Sequence, residues 1–174
     1  NLAQNHSRLI GIVLKRRKDK YENIFTDPFH GELLGALEAA IRERGYYMML
    51  YTSEDIDEIV RNVVSWNTEG LILIGMLHDD YLKIRSKYKK PAVLIDSYTP
   101  KNIARYVNIG LDDEEGGYLM TKYLLDCGHR KIAFLADNME GVDYIRYTGH
   151  QRALQEYGLD IDLDNLIVIR PSKY

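Results

Sequence analysis

Three short stretches of this 174-residue chain concentrate side chains able to do chemistry. Asp112-Asp113-Glu114-Glu115 places four acids in a row, directly before Gly116-Gly117. Acids here suit the positive end of a helix. One of them, Glu115 or a neighbour, could instead accept hydrogen bonds from sugar hydroxyls, and two could form a glycosidase pair. In Arg146-Tyr147-Thr148-Gly149-His150-Gln151-Arg152, Arg146 offers a planar fork of donors that fits vicinal hydroxyls or a carboxylate. Lys15-Arg16-Arg17-Lys18 is a basic cluster able to touch a phosphate or an acidic effector. Asp19 and Glu22 dilute its charge, and the simpler reading is a solvated loop. The basic run at 83–90 reads the same way, with cations suited to the negative end of a helix.

Other chemistries lack their signatures. There is no glycine-rich phosphate loop, no G-x-S-x-G and no H-E-x-x-H. The five histidines, His6, His30, His78, His129 and His150, are scattered without metal-ligand spacing. No metal, no cofactor and no catalytic residue is therefore expected, and binding is a better reading than turnover.

The elements that must position these residues alternate. Short apolar runs at 9–14, 48–50, 71–74, 92–95, 132–135 and 166–169 suit strands covered on both faces, as in a parallel sheet. Between them, Asp27-Pro28 is a strong helix start, and Gly45 a stop. Ile56, Ile59, Val60, Val63 and Val64 mark a second helix, and a third covers 79–88. A fourth starts at 112–115 and stops at Gly128, and a fifth runs from about Asp143 to Tyr157. The glycines inside the last two imply close backbone approach, which for Gly116-Gly117 reads as helix–sheet packing at a lobe boundary. Strand–helix alternation gives a doubly wound α/β fold, whose ligands bind beyond the carboxyl ends of the strands.

Composition agrees with an ordinary folded chain: 45% hydrophobic, 28% charged and a net charge of −3. That charge argues against bulk polyanion binding by this segment. One cysteine, Cys127, excludes an internal disulfide framework. No run approaches a transmembrane helix, and residues 1–8 lack a signal-peptide core. A reducing cytoplasm is the expected location. Tyrosine is over-represented, with 14 against 3 Phe and 1 Trp, which suits wet interfaces or a polar ligand cleft.

The ordered motifs resemble the effector domain of the lac-repressor/galactose-repressor (LacI/GalR) family. They are Ile10-Gly11-Ile12-Val13, Asp27-Pro28-Phe29-His30, Arg44-Gly45-Tyr46, Glu69-Gly70-Leu71-Ile72 and Val93-Leu94-Ile95-Asp96. They continue through Asp113-Glu114-Glu115-Gly116-Gly117-Tyr118, Gly128-His129-Arg130-Lys131-Ile132-Ala133-Phe134 and Arg146-Tyr147-Thr148-Gly149. The resemblance implies an α/β, periplasmic-binding-protein-like fold: doubly wound parallel sheets in two lobes, the second lobe incomplete in this chain. It implies a hinge remnant at 1–8, a first lobe at 9–111, and a crossover with part of the second lobe at 112–174. It further implies a homodimer, a sugar-like effector in the cleft, and operator DNA bound through an N-terminal helix-turn-helix absent from this chain. Carried over by position, the ligand contacts are Asp27, Phe29, His30, Asp96, Tyr98, Glu115 and Arg146. The alternative is an extracytoplasmic sugar-binding protein of an ABC importer, which shares the fold.

Overall fold

The computed structural model describes residues 6–16, 23–97 and 107–169. The chain falls into two compact units, Asn1–Ile109 and Gly110–Tyr174.

In the first unit, strands β1 (Leu9–Lys15), β2 (Tyr47–Ser53), β3 (Gly70–Ile74), β4 (Ala92–Ile95) and β5 (Val107–Ile109) form one sheet. Its order is β2-β1-β3-β4-β5, with every neighbouring pair parallel. Helices α1 (Pro28–Glu43), α2 (Ile56–Ser65) and α3 (His78–Lys87) make the crossovers. Alternation along β1 divides the core. Ile12 and Leu14 pack with Leu34 and Ile41 of α1, whereas Val13 packs with Ile59, Val63 and Ile84 of α2 and α3. Both faces are covered, which is why the strands read as continuous apolar runs. Asp27 caps α1 by accepting the His30 amide at 3.0 Å, with Pro28 at the first helical position, as expected. The basic residues at 83–90 close the end of α3: Arg85 donates to the Tyr88 and Lys90 carbonyls, and Lys90 to that of Thr68.

The second unit is built differently. Helix α4 (Asp113–Asp126) lies against α5 (Gly141–Glu156), beside a two-stranded parallel sheet of β6 (Phe134–Ala136) and β7 (Leu166–Val168). The two helices meet backbone to backbone. A Cβ added at Gly117 would stand 2.1 Å from the Arg146 carbonyl oxygen, and one at Gly149 would stand 1.9 Å from that of Glu114. The close approach is thus helix–helix, where helix–sheet packing was expected, and only the second glycine of the pair takes part, since nothing lies within 4 Å of a Cβ at Gly116. Below this contact Thr121 and His150 are buried and joined at 2.9 Å. The His150 ring stacks on Tyr147, and burial pushes its pKa below the usual 6.5.

The expected strand and helix positions hold, with bounds that differ in places. Strand β5 was not anticipated, β2 runs from Tyr47 to Ser53 where 48–50 was expected, β6 begins two residues later than the apolar run at 132–135, and α5 starts at Gly141.

Candidate functional site

At the carboxyl end of the first sheet, the chain order reverses between β1 and β3, the position at which folds of this kind take their ligands. Lys15 closes β1, and its ammonium contacts the Asp80 carboxylate at 2.6 Å. Asp80 also accepts the Leu77 amide at 3.0 Å and so fixes the start of α3. Lys15 is therefore no solvated loop residue. Arg16 follows, its amide donating to the Ser53 carbonyl at 2.8 Å. Its Nε, and Nδ1 of His78, are buried atoms with no hydrogen-bond partner. Arg17 and Lys18 lie outside the described residues.

The groups at the end of β2 satisfy one another. Tyr51 and Ser53 donate to Glu58 at 2.6 and 2.5 Å, and Asn62 donates to the Tyr51 hydroxyl at 2.6 Å. Hydrogen bonds from Ser53 and then Tyr51 hold the Glu58 carboxyl below its ordinary range.

Asp27, Phe29 and His30 sit together at the start of α1. The His30 amide is the main cause of the lowered Asp27 pKa, and the His30 ring lies 3.3 Å from the same carboxylate. Phe29 meets His30 edge-on at 5.5 Å and leaves just over half its surface exposed, at 54%. That exposure leaves an aromatic face for a flat or apolar ligand surface. Asp96 follows β4 with φ of 49°, a left-handed backbone that side chains other than glycine rarely adopt. The Ile109 carbonyl accepts its amide at 3.0 Å. Strained backbone of this kind concentrates at functional loops. Tyr98 lies outside the described residues.

In the second unit, the four-acid run divides its tasks. Asp112 caps α4 by accepting the Glu115 amide at 3.2 Å. Asp113, its side chain only 4% exposed, accepts from Arg146 Nε at 2.7 Å. Glu114 and Glu115 are both engaged by Arg152, the former at 2.8 Å, and the guanidinium of Arg152 lies over the Tyr118 ring. Glu115 thus already has a cationic partner. Arg146 is different. One edge is held by Asp113, while 47% of the side chain stays exposed. Asp143 stands 3.9 Å from its Nη1, and Asn138 bonds Asp143 at 3.0 Å. A guanidinium oriented by a buried carboxylate and open on its outer side can present two parallel donors to a pair of hydroxyls.

The structure thus brings Asp27, Phe29 and His30 into one cluster and gives Arg146 a buried orienting carboxylate. Asp80 was not singled out by sequence, while Asp113 stood out only as one of four acids, Arg16 as one of a basic cluster and His78 as one of the scattered histidines. Their signal is burial, which spacing along the chain does not reveal. No group of three or more His, Cys, Asp or Glu side chains among the described residues is arranged to hold a metal ion.

The fold is that of a known class. Residues 8–171 match the family described as periplasmic binding proteins and sugar binding domain of LacI family, and the chain belongs to that family. A curated relative, the HTH-type transcriptional regulator GntR of Escherichia coli (strain K12), is 30% identical over 164 residues, spanning 91% of this chain and 46% of the relative. The HTH-type transcriptional repressor PurR of Pasteurella multocida (strain Pm70) is 28% identical, over 94% of this chain and 48% of its own length. The chain therefore spans about half the length of the curated relatives it matches. Among solved structures, the transcriptional regulator CelR–cellobiose complex shares the fold with a TM-score of 0.81 at 21% identity, covering 95% of this chain and 51% of that one. The lac repressor dimer bound to operator and the anti-inducer ONPF gives 0.74 at 20% identity, covering 91% and 55%.

Proposed function

We propose that this chain is the small-molecule-binding and dimerisation region of a cytoplasmic DNA-binding transcriptional regulator of the repressor type. The observation that carries this reading is the family match over residues 8–171, together with relatives that are transcriptional regulators along nearly all of this chain. On this reading the whole protein is a homodimer that meets operator DNA through an N-terminal domain outside this sequence. The effector is a sugar-like small molecule. It changes operator affinity by binding one conformation of the protein better than another. No chemical turnover is part of this function. In keeping with a water-borne regulator, no described helix is long and apolar enough to cross a membrane.

The proposed effector contacts are Asp27, Phe29 and His30 at the start of α1, Asp96 and Tyr98 after β4, and Glu115 and Arg146 in the second unit. Arg146 is the strongest of these, because Asp113 orients it and solvent reaches it. Glu115 contributes through Arg152, whose guanidinium already occupies its carboxylate.

A thermal-shift screen of sugars and nucleobases on the full-length protein identifies the effector, since a ligand that binds only the native state raises Tm by mass action. With the effector in hand, Arg146→Ala or Phe29→Ala should weaken binding by about 1–3 kcal/mol. Calorimetry reads the change, and unaltered affinity removes that residue from the site. Effector binding that leaves operator affinity unchanged would sink the regulatory reading.

A further inference from the structure

Among the described residues of the first unit, two buried side-chain nitrogens lack partners, and both lie just beyond the strands flanking the reversal of chain order. Arg16 Nε follows β1 and His78 Nδ1 follows β3, each buried and without a hydrogen bond. Neighbouring strands lie about 4.8 Å apart, so the segments that carry Arg16 and lead to His78, the first residue of α3, leave the same end of the sheet from adjacent strands. Buried polar atoms are almost always paired, and a guanidinium is charged at every physiological pH. An unpaired buried Nε therefore calls for an acceptor, and for a charged donor the best acceptor is an anion.

Among the described residues, no acceptor bonds either nitrogen. Asp80 is taken by Lys15 and the Leu77 amide, and Glu58 by Tyr51 and Ser53. Asp27 is held by the amide and ring of His30. Asp79, the remaining acid in the first turn of α3, is exposed. His78 Nδ1 can donate to an anion or accept from a hydroxyl, according to its tautomer. Together these atoms suit a ligand bearing both kinds of group.

We propose that the effector is an anion, a carboxylate or phosphate on a hydroxyl-bearing skeleton, and that Arg16 and His78 receive it at the carboxyl end of β1 and β3. This rests on the reading of the chain as an effector-binding region, and it specifies the effector's charge.

The test uses the full-length protein and matched panels: neutral aldoses, their uronic and aldonic acids, their 6-phosphates, and nucleobases as a second neutral set. Thermal shift finds binders, and calorimetry in 50 and 500 mM NaCl gives their affinities. At least one acid or phosphate should raise Tm while its neutral parent does not. Its affinity should fall with salt, as expected for a charge-assisted contact. Whether acids or phosphates respond identifies the anion. Arg16→Gln should weaken that binding at least tenfold. His78→Leu should weaken it as well, and His78→Asn, whose amide can stand near Nδ1, should retain most of it. Circular dichroism checks the fold of each variant, and the salt dependence of the unmodified protein tests the charge independently. If neutral parents or nucleobases bind as tightly as any anion, or Arg16→Gln leaves the anion's Kd within twofold, the charge assignment is overturned and the effector reading stands. If nothing in any panel binds, both fall.

Discussion

The two units of this chain hold themselves together by different means. The first relies on side-chain volume: five parallel strands between helices, with Ile12, Val13, Ile59, Val63, Leu73, Ile84 and Leu94 all fully buried. The second has a two-stranded sheet and a small apolar cluster around Leu125, Ala153 and Leu154. It relies on two helices in backbone contact, clasped by Arg146–Asp113 and by Arg152 on Glu114 and Glu115. The lesson concerns where each unit tolerates change. An apolar core spreads a loss over many neighbours, whereas a backbone contact has none to spread it over.

The largest expected effect tests the first half of that contrast. Leu73 is fully buried at the centre of the sheet, and Leu73→Ala should cost about 2–5 kcal/mol. Urea unfolding followed through Trp66 reads it, because this sole tryptophan packs against the same core. A loss below about 1 kcal/mol would be too small for a core-dominated unit. Next comes Gly149→Ala, whose Cβ meets three backbone atoms, Glu114 O at 1.9 Å, Tyr118 N at 2.7 Å and Glu114 C at 2.9 Å. None can rotate aside, so the helices must part, at about 1–3 kcal/mol. The loss should show in helical ellipticity while Trp66 fluorescence stays native. Gly116→Ala, with nothing within 4 Å, should instead stabilise by about 0.5–1 kcal/mol. Two glycine changes of the same sign would dissolve the contrast.

The smallest effect is a pH dependence confined to the second unit. Burial disfavours the charged form of His150 and lowers its pKa from 6.5, so as pH falls the unfolded chain binds a proton before the folded one does. Stability is level above 6.5 and falls as pH drops from there to the lowered value. In the first unit the lowered groups are carboxylates, Asp27, Asp55 and Glu58. Their contribution persists until pH falls below the ordinary carboxylate range. Unfolding midpoints by ellipticity between pH 8 and 5 should therefore stay level down to about 6.5, slope downward below it, and flatten in His150→Gln. A level midpoint across that range removes His150 as the cause.

How far the chain could be read in advance follows the same division. Strands buried on both faces announce themselves as apolar runs, and the Asp27-Pro28 start and Gly45, Gly128 and Gly158 stops are local signals. All three glycines take positive φ, at +75°, +94° and +67°. Strand β5 escaped because it is three residues long, with Asn108 at its centre and Val107 and Ile109 exposed. The acidic run was visible, and its division of labour was not. Asp113 meets Arg146 across 33 residues and Glu114 meets Arg152 across 38, and no periodicity links positions that far apart. Lys15 and Arg16 were read from charge alone, yet their behaviour depends on Asp80 and on burial, both supplied by the tertiary fold.

The contact between α4 and α5 has a consequence at the level of the gene. A single-base change in a glycine codon leaves glycine, creates a stop, or installs a residue with a Cβ. At Gly117 and Gly149 that first side-chain carbon already collides with the opposite backbone. No one-step mutational path leads away from either position without prising the helices apart. Close homologues should therefore keep glycine at both sites, while Gly116, their immediate neighbour, drifts.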